Sequence, residues 1–205
     1  MRVIAYCCAS FTEATEKAAG VKPLSSPPYD SASFDPAWLS ADCYGYRYDL
    51  IYLDLHGQPG EACWRGDGGI VALTADQIRS VALGGSVVFA VNCFLADSDS
   101  PMLEALLEAG ARYVVGGTGE NFGGEEQLMG AGLMGARFRV LMEQGFEPLL
   151  ALDFAKRWMR LYLAGGKVFK QLSPKRMRAA EDALQFRAYY RKRGVPSSGI
   201  IGSET

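Results

Sequence analysis

Two short apolar runs, close together in the chain, each end in a residue able to do covalent chemistry. The first, Asp49-Leu50-Ile51-Tyr52-Leu53-Asp54-Leu55, leads into His56-Gly57; the second, Val87-Val88-Phe89-Ala90-Val91, leads into Asn92-Cys93. Short apolar runs rich in branched residues and bounded by turn residues predict buried strands. If these two are parallel neighbours, the chain's single histidine and a cysteine emerge together at their carboxyl ends. Open α/β sheets place their sites there.

The surrounding chain supplies the elements such a sheet needs. A first buried strand is expected over 2–8, with Cys7 and Cys8 as small core residues, then a short helix over 13–19 stopped by Gly20. Residues 23–36 hold Pro23, Pro27, Pro28 and Pro36 and predict a loop without regular structure. The segment after His56 is dense in glycine, which suits a tight return or a close backbone approach. A short strand is expected over 70–73. Thr74 with Gln77 three residues on forms a capping-box pattern for a helix to about Val81. Ser100 before Pro101 starts the next helix, which Gly110 ends. A strand over 111–115 and helices over 125–144, 148–163 and 175–193 complete the reading. Strands alternating with helices imply an α/β fold, a mostly parallel sheet with helices on both faces.

Length and composition fit that architecture. With 205 residues the chain can bury a sizeable core, and 49% hydrophobic against 21% charged residues excludes global disorder. The net charge of -2 is unevenly spread. Residues 1–165 carry 12 Lys+Arg against 20 Asp+Glu, and residues 166–205 carry 9 against 3. An acidic body, 1–165, followed by a basic helical extension, 166–205, is the expected organisation. The basic end, including Arg191-Lys192-Arg193-Gly194, could bind nucleic acid. Docking of Phe186, Tyr189 and Tyr190 on the acidic body, with the charges solvated, is the simpler account and makes nucleic acid an unfavoured partner. The amino terminus lacks a signal peptide's core, and no run nears the ~20 apolar residues that span a bilayer, so a cytoplasmic protein is expected. Five cysteines (Cys7, Cys8, Cys43, Cys63, Cys93) without C-x-x-C spacing suggest neither a disulfide framework nor a zinc site, and a lone histidine excludes a His-rich one. No metal and no cofactor are expected.

A thiol becomes a strong nucleophile as the thiolate, and a nearby imidazole can activate it or protonate a leaving group. Cys93 and His56 are the candidate pair. Backbone amides of Gly57 and Cys93 are natural donors to a substrate oxyanion. Asp54 alternates with His56 along the strand, so it could orient the imidazole or equally be a polar residue at a strand end. Both members of the pair also admit a plain structural reading, a packed cysteine and a turn histidine.

The order apolar run, His-Gly, helix, apolar run, Cys resembles the caspase-like cysteine peptidases, in particular the CHAT family. Further segments are similar to it: Leu73-Thr74-Ala75-Asp76-Gln77-Ile78 to its capped linking helix, Leu107-Glu108-Ala109-Gly110-Ala111-Arg112-Tyr113-Val114-Val115 to its helix-to-strand step, and Phe138 through Gly145 with Pro148, Ala151, Leu152 and Ala155 to its terminal helix pair. The similarity runs from about Tyr48 to Met159. It implies a caspase-like αβα sandwich in which Cys93 is the nucleophile of a thiol protease and His56 its general base and acid. The amides of Gly57 and Cys93 would form the oxyanion hole, and the substrate would be a protein or peptide. Members often carry sensor or repeat domains, so activation here would come from a separate partner or self-association.

The chain departs from the family pattern at Asn92, where Ala is usual, at Phe94-Leu95-Ala96, and in the loop Gly116-Gly117-Thr118-Gly119-Glu120-Asn121-Phe122, which usually carries a tryptophan. Glu120 would face the pocket for a basic side chain or simply be solvated, and the solvated reading is the simpler. Asp97-Ser98-Asp99 reads as helix capping and dipole complementarity rather than a cation site. Two rivals follow. One is an inactive caspase-like binding module. The other is a flavodoxin-like nucleotide or flavin binder, which Ala9-Ser10-Phe11-Thr12 disfavours by lacking the glycines of a phosphate loop.

Overall fold

The chain is described by a computed structural model over residues 1–41, 44–97, 99–169, 172–191 and 200–202. Cys43, Ser98 and the basic residues Lys192 and Arg193 lie outside the described residues. Among those described, strands β1 (Val3–Cys8), β2 (Leu24–Ser26), β3 (Leu50–Asp54), β6 (Val87–Ala90), β7 (Tyr113–Gly117), β8 (Phe186–Arg191) and β9 (Ile200–Gly202) form one sheet. Its order is β2-β1-β3-β6-β7-β8-β9. The first five of these are parallel to their neighbours, while β8 runs antiparallel to β7 and β9 antiparallel to β8. Two further strands, β4 (Cys63–Arg65) and β5 (Val71–Thr74), pair antiparallel in a separate hairpin.

Alternation along the strands divides the core into two layers. On β3 and one residue beyond it, Ile51, Leu53 and Leu55 join a cluster with the β4–β5 hairpin and the helices α2 (Ala75–Arg79) and α3 (Pro101–Glu108). Leu50 and Tyr52 face the other way, into a cluster with α1 (Thr12–Ala19), α4 (Gly130–Glu143), α5 (Pro148–Phe169) and α6 (Pro174–Ala183). Phe89 of β6 stacks there against Tyr52 and Phe186 and tilts against Phe138. Burying each such ring stabilises the fold by roughly 1.5–3 kcal/mol. The result is an α/β molecule whose mostly parallel sheet is covered by helices on both faces. No helix among the described residues is long and apolar enough to cross a membrane.

The local signals are realised closely. Thr74 and Gln77 form a complete capping box, Ser100 caps α3 with Pro101 at its first turn, and Gly20 closes α1 in the left-handed region.

Four expectations are corrected. Leu24–Ser26 forms an edge strand inside the Pro-rich loop, because its backbone can pair with β1 on its free side. The helix expected from residue 125 begins only at Gly130. Helix α5 continues past Gly165-Gly166 to Phe169, with Gly166 buried close to Leu172 and Lys167 paired with Glu181 of α6. The single helix expected over 175–193 stops at Ala183, and Phe186–Arg191 becomes β8 of the main sheet. The alternation of Phe186 and Ala188 into the core is a strand period, and the open edge of β7 rewards it. The carboxyl-terminal segment is therefore helix plus strand, and the docking of Phe186 and Tyr189 is achieved from a strand. Tyr189 also donates its hydroxyl to the Ala96 carbonyl at 2.9 Å, tying β8 to the turn after Cys93.

Candidate functional site

The site forms where β1, β3 and β6 end. Because β3 pairs in parallel with β6, with Leu53 beside Ala90, the next residues of each strand leave the sheet on the same edge. Asn92 joins these exits. Its side-chain oxygen accepts the Leu55 N–H at 3.1 Å, and its own carbonyl accepts from the Asn121 side chain at 3.0 Å. Its side-chain nitrogen is buried without a hydrogen-bond partner among the described residues.

His56 sits at the surface beyond β3 and exchanges both backbone hydrogen bonds with Arg65, which folds the β4–β5 hairpin over the strand end. Gly57 then lies against Cys93. A Cβ built on Gly57 would stand 2.4 Å from the Cys93 carbonyl oxygen, so only glycine lets the His-Gly turn rest on the Cys93 backbone. Gly66 is confined in the same way, its Cβ position falling 2.3 Å from Ser26 Oγ. That close approach carries the hairpin loop back across the end of β2, beside the end of β1.

Cys93 is half-buried in a turn, and Phe94 after it adopts φ 59°, a conformation that non-glycine residues rarely hold. The Phe94 N–H is bound to the Gly119 carbonyl at 2.9 Å, so the loop following β7 stabilises the turn. A residue held in this region costs about 1–3 kcal/mol, and such residues cluster at active sites and ligand clamps. The Cys93 sulfur accepts the Asn121 N–H at 3.2 Å and faces the Asn121 carbonyl at 3.6 Å. Burial pushes the Cys93 thiol up; the Asn121 N–H works against this, and the carboxylates of Glu120 and Asp54 add to it. The resting sulfur is therefore a thiol. Glu120 itself is exposed, in keeping with a solvated carboxylate.

Asp54 is buried, and its carboxylate accepts the Thr15 hydroxyl of α1 at 2.9 Å. Burial lifts it to about 7, with the Thr15 bond pulling the other way. No hydrogen bond among the described residues joins Asp54 to the His56 ring, and none joins that ring to the Cys93 sulfur. The neighbours of the His56 imidazole lie toward β1. Phe11 meets it edge-on at 5.4 Å between centroids, and its ring nitrogen, the Cys8 sulfur and an Asp67 carboxylate oxygen all lie within 4.8 Å of one another. The Asp67 carboxylate is held by the Ser10 N–H and hydroxyl, each at 2.7 Å.

Cys8, Asp67 and Asn121 are the site residues that sequence reasoning missed. Cys8 reads as core because it is core, at 0% exposure. Asp67 lies in a glycine-rich loop, and the density of glycine there was the one legible sign that this backbone returns to a site. Beside Phe11, a cleft of about 400 Å3 runs along 123–127 to Ser173 and Arg176, and mixes Glu125 and Glu126 with Lys175. A scan of protein-family models finds no match to the chain, and a search of curated proteins finds none either.

Proposed function

We propose that the protein is a cysteine endopeptidase of caspase-like type, with Cys93 as nucleophile and His56 as its proton carrier. The observation that carries this reading is the seating of the His56-Gly57 turn on the Cys93 backbone at the ends of two adjacent parallel strands. In the proposed reaction the Cys93 sulfur attacks the peptide carbonyl carbon while its proton passes to His56. The Gly57 and Cys93 amides receive the developing oxyanion. The tetrahedral intermediate collapses to a thioester as the C–N bond breaks and His56 protonates the leaving amine. Water then adds to the thioester, giving its proton to His56, and the carboxylic acid leaves as the thiol reforms. The raised Cys93 thiol fits a mechanism in which proton transfer accompanies attack, rather than a preformed thiolate. Activation by a separate protein or by self-association would bring the imidazole across from its β1-side neighbours toward Cys93.

A specific observation favours a second reading, a caspase-like module that works by binding alone. The Cys93 sulfur is already engaged by both backbone polar groups of Asn121. Alkylation kinetics separate the two. Under the peptidase reading iodoacetamide modifies Cys93 faster than the half-buried Cys63, and His56→Ala slows that reaction. Equal rates without dependence on the histidine leave only the binding module.

A further inference from the structure

Three donor atoms of different chemical type converge beside the proposed dyad: the Cys8 sulfur, a His56 ring nitrogen and an Asp67 carboxylate oxygen, all within 4.8 Å of one another. They come from the end of β1, the turn after β3 and the loop between β4 and β5, so no spacing in the chain announces them. Thiolate, imidazole and carboxylate are the ligand set of zinc, and three protein ligands leave a fourth position for water or another group. With metal–ligand bonds of about 2.0–2.3 Å, donors around tetrahedral zinc stand roughly 3.5 Å apart. The three donors lie within 4.8 Å of one another, so ligation requires them to close by up to about 1.3 Å.

The surroundings supply what a metal site needs. Ser10 holds both Asp67 oxygens through its N–H and hydroxyl at 2.7 Å, fixing the carboxylate's direction as outer partners of metal ligands do. The Cys8 thiol donates to the Arg65 carbonyl at 3.5 Å, in the strand that pairs with His56, a bond the thiolate gives up on taking the cation. Cys8 is fully buried while His56 is exposed, so a cation enters from the imidazole side. No Lys or Arg side chain forms a salt bridge to Asp67 among the described residues.

We infer that Cys8, His56 and Asp67 form a binding site for a zinc-type divalent cation, and that its occupation withdraws His56 from Cys93. The cation takes the sulfur as thiolate, the thiol proton passing to buffer, and it takes an imidazole nitrogen lone pair that would otherwise accept the Cys93 proton. The second half of the inference rests on the peptidase reading; the first half does not.

The test titrates Zn2+ alone into chelator-stripped full-length protein by calorimetry, and Co2+ alone by absorption, where sulfur ligation gives a near-ultraviolet charge-transfer band. The wild type and Cys93→Ala should each bind one ion per chain with equal affinity. Asp67→Ala and His56→Ala should weaken binding at least tenfold, and Ser10→Ala by about tenfold. Cys8→Ala should abolish the charge-transfer band; because Cys8 is buried, Asp67→Ala serves as the variant that leaves the core intact. Absence of saturable binding, or binding that survives Asp67→Ala and His56→Ala unchanged, overturns the site. So does loss of binding in Cys93→Ala. In a separate arm, Zn2+ should slow alkylation of Cys93 in the wild type and leave the Asp67→Ala rate unaffected. If metal binds as expected but Cys93 reacts at the same rate, the withdrawal of His56 is refuted. If His56→Ala fails to slow alkylation without metal, the peptidase reading falls and the binding arms still decide the site.

Discussion

The carbonyl oxygen of Cys93 occupies the space that a side chain on Gly57 would need, 2.4 Å from the ideal Cβ position. The turn carrying His56 and the turn carrying Cys93 are thereby packed backbone to backbone. Gly57→Ala should force them apart and lower stability by about 1–3 kcal/mol, the usual cost of overpacking. Chemical denaturation of the variant measures the stability change. Cys93 alkylation in the same variant should lose its dependence on His56, and a variant as stable and as reactive as the parent contradicts the packing described.

Asn92 performs a related task through a hydrogen bond. Its side-chain oxygen is the acceptor for the buried Leu55 N–H, linking the end of β3 to the exit of β6. Asn92→Ala leaves that donor without a partner and should cost about 1–3 kcal/mol. Hydrogen exchange at Leu55 provides the specific readout, expected to speed up in the variant; unchanged protection would mean the bond contributes little.

Asp54 links the site to pH. Its carboxyl is lifted by burial from the ordinary 3.8 to about 7, so the native state holds this proton more tightly than the unfolded chain does. The unfolded state then binds fewer protons between these values, and stability falls as pH rises through them. The loss is absent below about pH 4 and complete above about pH 7, on the order of 4 kcal/mol. Asp54→Asn, which keeps an oxygen for the Thr15 hydroxyl, should flatten this part of the profile. Urea midpoints from pH 4 to pH 8 compare the two proteins, and parallel curves would count against a buried, protonated Asp54.

Tyr52 gives a prediction of opposite sign. Its ring packs on Gly135, where a Cβ would lie 2.6 Å from the hydroxyl oxygen, and that hydroxyl is buried with no hydrogen-bond partner among the described residues. Burial without a partner is unfavourable for a hydroxyl. Tyr52→Phe keeps the stack on Phe89 and should raise stability by about 1 kcal/mol, seen as a higher thermal midpoint. A lower midpoint would show that the hydroxyl finds a partner after all.

Local chemistry in the chain was enough to determine where β1, β3 and β6 lie, how α2 and α3 begin, and that a histidine and a cysteine each leave the end of a strand. These features follow from side-chain period, capping residues and turn glycines, all of which act over a few positions. The strand formed by Phe186–Arg191 was beyond that reach, because its conformation is chosen by the open edge of β7, some seventy residues earlier in the chain. The same holds for the site's detail. Asn121 reaches the Cys93 sulfur, and Cys8 and Asp67 reach His56, only because sheet order and the folded-back β4–β5 hairpin bring four separate loops to one edge. Sequence alone determined that Cys93 and His56 could meet. Tertiary structure decided that the imidazole rests among donors from β1 and the hairpin, since long-range backbone pairing, rather than any local signal, sets which loops share that edge.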